Sequence, residues 1–207
     1  MIAVIDYGVG NLFSVEKALL QFTSDVIVTN DEAKIASAQK LVLPGVGDFG
    51  ECMRNLEKTG LIPVIMDKIN SGTPLLGICI GQQILFEGSE ESPGAKGLGI
   101  FKGMVKRINA PGLKVPHMGW NNVTFSEPRN AIFKEHGEHP YFYFVHSYHC
   151  VPEDKSIITA TAEYGETITA AVAKDNVMAT QFHPEKSGDV GLLVLKQFIN
   201  FIFIIVI

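Results

Sequence analysis

The chain has 207 residues, 46% hydrophobic and 19% charged, the balance of a globular unit with a sizeable core and not of a disordered chain. A net charge of −5 argues against nucleic acid as the main partner. Three widely spaced cysteines make no secreted disulfide framework, so a reducing, cytoplasmic setting is expected; residues 1–5 are apolar, lack a basic leader and meet Asp6, which reads as a first strand and not a signal peptide.

Short apolar runs alternate with helical stretches, which predicts an α/β domain with a mixed, mostly parallel central sheet flanked by helices. A strand over 2–6 leads to a helix over 12–22, set by the spacing of Leu12, Val15, Leu19 and Phe22. Strands follow over 26–29 and 41–43, the latter stopped by Pro44-Gly45-Val46-Gly47. Helical periodicity covers 49–70, and a strand over 74–78 runs through a turn into a further helical stretch at 82–86. After Gly99 strands are predicted over 104–108, 122–125, 141–145, 157–162, 169–173 and 177–180, with antiparallel pairing, and a helix over 189–200 closes the chain. No repeat or linker divides the sequence, and 1–207 reads as one domain. The apolar tail 201–207 is too short to span a membrane, which takes roughly 20 apolar residues. It reads as the end of a helix packed on the sheet whose last residues contact a partner or fray, with the aggregation liability of a β-prone segment.

The most informative segment is Gly77-Ile78-Cys79-Ile80-Gly81. Glycines two residues either side of a cysteine permit a sharp strand-to-helix turn that lifts the side chain clear, the mechanics of a nucleophile elbow. The first turn of the following helix would favour the thiolate. Cys52 and Cys150 lack such flanks and read as buried core residues. A base and its orienting acid are available in Gln181-Phe182-His183-Pro184-Glu185. Pro184 biases His183 to extended backbone, so His183 and Glu185 can project to one side as along a strand; the competing reading is a surface loop with the two as chance neighbours.

Pro44-Gly45-Val46-Gly47 reads equally as an ordinary strand-terminating turn or as a source of backbone donors which, with the N–H of Ile80, would stabilise a developing oxyanion. Asp6-Tyr7-Gly8-Val9-Gly10-Asn11 does not complete a dinucleotide fingerprint, because Phe13 stands where the third glycine is needed. His146, His149 and Cys150 have no second cluster at zinc-like spacing, so they read as substrate-lining or structural residues and no metal is expected.

Gly77-Ile78-Cys79-Ile80-Gly81-Gln82-Gln83 with His183-Pro184-Glu185 resembles the class I (triad) glutamine amidotransferases. More narrowly, residues 6–12, 43–47, 116–121 and 144–148 resemble the glutaminase subunits of imidazole glycerol phosphate synthases, over nearly the whole chain and in the same order. The likeness departs at the tail after Asn200 and at His149. It implies a fold of that family, no cofactor and no membrane, with Cys79 as nucleophile, His183 as base and Glu185 as orienter. It implies oxyanion donors at Val46, Gly47 and Ile80, and glutamine held by Gln83 and the backbone at Ser147 and Tyr148. It also implies a heterodimer with a separate (β/α)8-barrel cyclase subunit that receives ammonia through a channel, with Asn11, Trp120, Tyr143 and Lys186 on the partner face. A cysteine α/β-hydrolase would place its acid before the histidine, another amidotransferase would lack the tryptophan motif at 116–121, and a non-enzymatic homologue would be expected to lose a triad member.

Overall fold

A computed structural model describes residues 1–203. The first eighty residues alternate between strand and helix: β1 (Ile2–Ile5), α1 (Leu12–Leu19), β2 (Val26–Thr29), α2 (Glu32–Ser37), β3 (Lys40–Gly45), α3 (Phe49–Thr59), α4 (Ile62–Asn70) and β4 (Leu75–Cys79). Every residue of β1 and β4 is buried, and every residue of β3 but Lys40, as parallel strands covered on both faces require. A one-turn helix α5 (Ile80–Gln83) follows, then β5 (Gly88–Ser89), β6 (Gly103–Arg107), β7 (His117–Asn122), β8 (Thr124–Phe125), β9 (Tyr141–His146), β10 (Tyr148–Pro152), β11 (Ile158–Glu163), β12 (Thr167–Lys174), β13 (Val177–Thr180) and α6 (Gly188–Asn200).

Eight strands form one sheet in the order β2-β1-β3-β4-β13-β12-β11-β8. Pairing is parallel from β2 to β13 and antiparallel from β13 to β8, as the change of pattern after Gly99 predicts. β10-β6-β5 and β7-β9 make two smaller sheets. Register positions the chemistry. Gly45 pairs with Cys79 and Ile78 with Thr180, so the carboxyl ends of β3, β4 and β13 lie side by side where open α/β sheets bind ligands.

Several element boundaries differ from expectation. The helical pattern over 49–70 is two helices: Gly60, at φ +69, ends α3 in a left-handed cap, and Pro63 sits in the first turn of α4. α1 stops at Leu19, and Phe22 lies half out in a turn whose N–H bonds back to the Leu19 carbonyl. The helix expected over 82–86 is only α5, and the strand expected over 122–125 is the junction of β7 and β8. α2, β5 and β10, with the start of β7, have no counterpart among the predicted elements. α6 ends at Asn200; Phe201 is held by the Lys40 ammonium, which donates to its carbonyl and lies over the Phe198 ring. Residues 204–207 of the tail lie outside the described residues.

Candidate active site

Cys79 joins β4 to α5 with φ 56 and ψ −111, left-handed backbone in a residue that has a Cβ. Such a conformation costs about 1–3 kcal/mol and persists only where the surroundings impose it. The flanking glycines impose it by close approach, not by their own torsions, since neither has a positive φ. A Cβ at Gly81 would lie 1.8 Å from the Leu43 carbonyl oxygen, and one at Gly77 would lie 2.8 Å from the Gly81 carbonyl oxygen. The elbow is therefore pressed against β3 and folded on itself, which no side chain at either position would allow. Because α5 is a single turn, the dipole support expected from a long helix is that of its first few N–H groups only.

β13 delivers the second group. Beyond Thr180 the chain bends at Gln181 and Phe182, His183 itself is extended (φ −97, ψ 97), and Pro184 then opens a 3₁₀ turn over Pro184–Lys186. Glu185 thus reaches its histidine from a turn and not along a strand: His183 Nδ1 lies 2.8 Å from Glu185 Oε1, with both side chains almost wholly buried. The His183 N–H donates to the Tyr143 carbonyl, and the Ser187 hydroxyl donates to the His183 carbonyl. His183 Nε2 has no partner of hydrogen-bond geometry. Burial alone would lower the pKa of His183, but its interactions with Cys79 and Glu185 outweigh burial and raise it to about 10.

The groups meet at a cleft of about 380 Å³ whose lining includes Cys79, His183, Gln83, Ser147 and Tyr148, with Val46 and Gly47 on one wall. Gln83 Nε2 donates to the Tyr148 carbonyl at 3.0 Å and to Gln181 Oε1 at 3.0 Å, while Gln83 Oε1 is buried without a partner. Under the glycine turn, the Tyr7 hydroxyl donates to the Pro44 carbonyl at 2.6 Å and the Cys52 thiol to the Val46 carbonyl at 3.4 Å. Cys52 is a buried core residue as expected, and burial pushes its pKa up to about 11, which keeps the thiol protonated as the donor in this bond. Since a trans peptide sets C=O and N–H on opposite sides, the Gly47 N–H points away from Cys52. Ile80 opens α5, where its N–H has no intrahelical acceptor.

The remaining expected residues lie near the same edge. Trp120 is 56% exposed and meets half-buried Tyr143 edge-on with centroids 6.3 Å apart, as their cross-strand register requires. Lys186 is exposed on the cleft rim, next to Ser187, whose hydroxyl accepts from the Tyr143 N–H. Half-buried Asn11 precedes α1, which packs on the 184–186 turn. Sequence reading assigned no role to Gln181, whose Nε2 is 3.8 Å from the Cys79 sulfur, or to Tyr7 and Cys52 beneath the turn. The one signal is a polar residue, Gln181, directly after the buried strand β13 and two residues before His183.

The fold and this site define the class. The family model for glutamine amidotransferase class-I matches residues 3–200, and the chain belongs to that family. Within it the chain is 51% identical over 206 residues to the imidazole glycerol phosphate synthase subunit HisH of Syntrophotalea carbinolica, covering 96% of this chain and 98% of that one. It is 48% identical over 202 residues to subunit HisH of Methanothermobacter thermautotrophicus, covering 98% and 99%. A crystal structure of a glutamine amidotransferase superposes with TM-score 0.74 at 18% identity, covering 96% of this chain and 99% of that one. The structure of PurLQS from Thermotoga maritima gives 0.72 at 20%, covering 96% and 97%; at these identities the likeness is one of fold.

Proposed function

We propose that the chain is the glutaminase subunit of an imidazole glycerol phosphate synthase. It would hydrolyse glutamine to glutamate and ammonia and pass the ammonia to a (β/α)8-barrel cyclase subunit. That partner would make imidazole glycerol phosphate and aminoimidazole carboxamide ribotide in histidine biosynthesis. The observation that carries the reading is His183, tied to Glu185 by a 2.8 Å hydrogen bond on Nδ1, unpartnered on Nε2 among the described residues, and lining one cleft with Cys79 on the strained elbow. The relatives' names, which call them synthase subunits, support a partner chain.

In the steps that follow from this geometry, the Cys79 sulfur attacks the side-chain amide carbon of glutamine and His183 holds the proton released by the thiol. The tetrahedral oxyanion is met by N–H groups of Val46 or Gly47 and Ile80. Collapse breaks the C–N bond, and His183 returns its proton to the departing nitrogen, leaving a thioester and ammonia. Water, deprotonated by the same imidazole, cleaves the thioester to glutamate and restores the thiol. Glu185 keeps the ring oriented and stabilises its charged form. Gln83, Ser147 and Tyr148 hold the amino-acid part of the substrate, and exposed Trp120 with Tyr143, Asn11 and Lys186 faces the cyclase.

The test is co-purification with a barrel cyclase, then assay of glutamate release with and without its phosphorylated ribulosyl imidazole substrate. Cys79→Ala is expected to abolish glutamine-dependent turnover and leave turnover with ammonium salts intact. Loss of both, or survival of glutamine-dependent turnover, overturns the assignment.

A further inference from the structure

Two buried histidines outside the proposed triad form a hydrogen-bonded pair between β7 and β9. His117 and His146 are in register, with His117 Nδ1 2.9 Å from His146 Nε2. The ends of the pair fix which nitrogens carry protons. His146 Nδ1 lies 2.8 Å from the Tyr148 carbonyl oxygen, which can only accept, so Nδ1 is the protonated nitrogen. Burial holds both rings neutral, lowering the pKa of His146 to about 3 and that of His117 to about 4. His146 Nε2 is then bare, and the shared proton sits on His117 Nδ1. His117 Nε2, bare in turn, accepts from Asn121 Nδ2 at 3.2 Å; that amide is oriented by a second donation to the Glu163 carbonyl and by accepting from the Asn122 N–H. Stacking between Phe144 and Tyr164, at 4.7 and 4.1 Å between centroids, confines the His117 ring.

Every link thus donates in one direction, from Asn121 through His117 and His146 to the Tyr148 carbonyl. That same oxygen accepts one Gln83 Nε2 hydrogen, and Gln181 Oε1 accepts the other. With both N–H groups committed, the Gln83 carboxamide cannot turn over, and it is fixed where Gln83 lines the cleft, its Oε1 buried and without a partner among the described residues.

We propose that His117 and His146 are positioning residues for glutamine: their one-way relay fixes the Tyr148 carbonyl and, through it, the Gln83 side chain that lines the cleft. This rests on the glutamine reading of the cleft given above. The pair acts on binding and not on the reacting bond, so its loss raises KM while kcat holds.

The test uses the complex with its cyclase. His117→Leu removes the donor to His146 and is expected to raise KM for glutamine about tenfold, the effect of losing one buried hydrogen bond, with kcat within about twofold. His117→Asn places an amide N–H where Nδ1 stood and is expected to return KM to within about twofold of the unsubstituted complex. Independently, ¹⁵N spectra of the native chain should show both histidines as Nδ1–H tautomers that do not titrate between about pH 5.5 and 8. A KM unmoved by His117→Leu in an active complex, a kcat loss that His117→Asn does not rescue, or an Nε2–H tautomer at His146 overturns the relay alone. A native complex that releases no glutamate overturns the glutamine reading and the relay's role with it.

Discussion

Gly81→Ala tests whether the elbow is held by contact with β3. The added Cβ would stand 1.8 Å from the Leu43 carbonyl oxygen, whereas ordinary contact begins near 3.4 Å, so about 1.6 Å of separation must be found. The obstacle is backbone in a buried strand paired on both sides, with Leu43 opposite Gly77. β3 cannot retreat without loosening its ladders, and the elbow cannot retreat without moving Cys79. Overpacking of this kind costs about 1–3 kcal/mol and more where backbone must shift. At about 2–4 °C per kcal/mol for a chain of this size, a 3 kcal/mol loss lowers Tm by about 6–12 °C. Activity should suffer further, because β3 runs into the 44–47 turn and a displacement of about 1 Å between reacting groups costs on the order of 10²-fold. Calorimetric unfolding and glutamate release by the complex measure the two effects. Gly137→Ala, where a Cβ meets nothing within 4 Å, is the control and should stay within about 2 °C. A Gly81→Ala protein within 2 °C and twofold of the native one would refute the contact as the elbow's constraint.

Glu185→Gln keeps the size of the side chain at His183 and removes its charge, so the fold should hold while kcat falls by about 10²–10⁴; unchanged kinetics would remove Glu185 from the chemistry. Cys52→Ala deletes the donor to the Val46 carbonyl, and Cys52→Ser supplies another. Glutamine turnover should fall a few-fold in the first and recover in the second, and equal rates in both would show that the turn does not depend on this bond. Stability should depend on pH in two opposed ways. His183, raised to about 10, contributes stabilisation that is complete below its ordinary 6.5 and lost as pH rises through 10. His117 and His146, lowered to about 4 and 3, stay neutral when folded while the unfolded chain takes up their protons below 6.5, so stability falls as pH drops from 6.5 towards 3. Each contributes at most about 1.4 kcal/mol per pH unit. Denaturant midpoints from pH 5 to 9 should peak near 6.5, and a midpoint rising steadily towards pH 5 would contradict the burial of neutral rings.

What the sequence discloses about this protein is local, and what it withholds depends on pairing at a distance. Apolar runs carrying a glycine announce β3 and β4, because a strand buried on both faces needs an apolar stretch and a close backbone approach needs glycine. The same pattern misleads about mechanism: glycines at 77 and 81 suggest their own torsional freedom, while the positive φ belongs to Cys79 and the glycines only vacate space. Periodicity runs through Gly60 because Leu56 and Ile65 both face the core, while the left-handed cap at Gly60 and Pro63 in the next first turn separate the helices. β10 carries no clear strand pattern, because Tyr148 and His149 open it and Pro152 closes it.

The partners of the site were out of reach for a related reason. Gly45 stands beside Cys79, and Thr180 beside Ile78, through register between strands up to a hundred residues apart, which no local spacing encodes. The relay from Asn121 to Tyr148 is further removed still. Its residues are visible in the motifs at 116–121 and 144–148, yet its function depends on proton direction, and each histidine alone could donate from either nitrogen. Direction is decided only where a group with a single role ends the line, here a carbonyl at one end and an oriented carboxamide at the other. A buried imidazole pair gains a definite tautomer only from its neighbours, so replacing an end group should disturb the whole line, whereas an exposed substitution on β7 such as at Met118 should leave it unchanged.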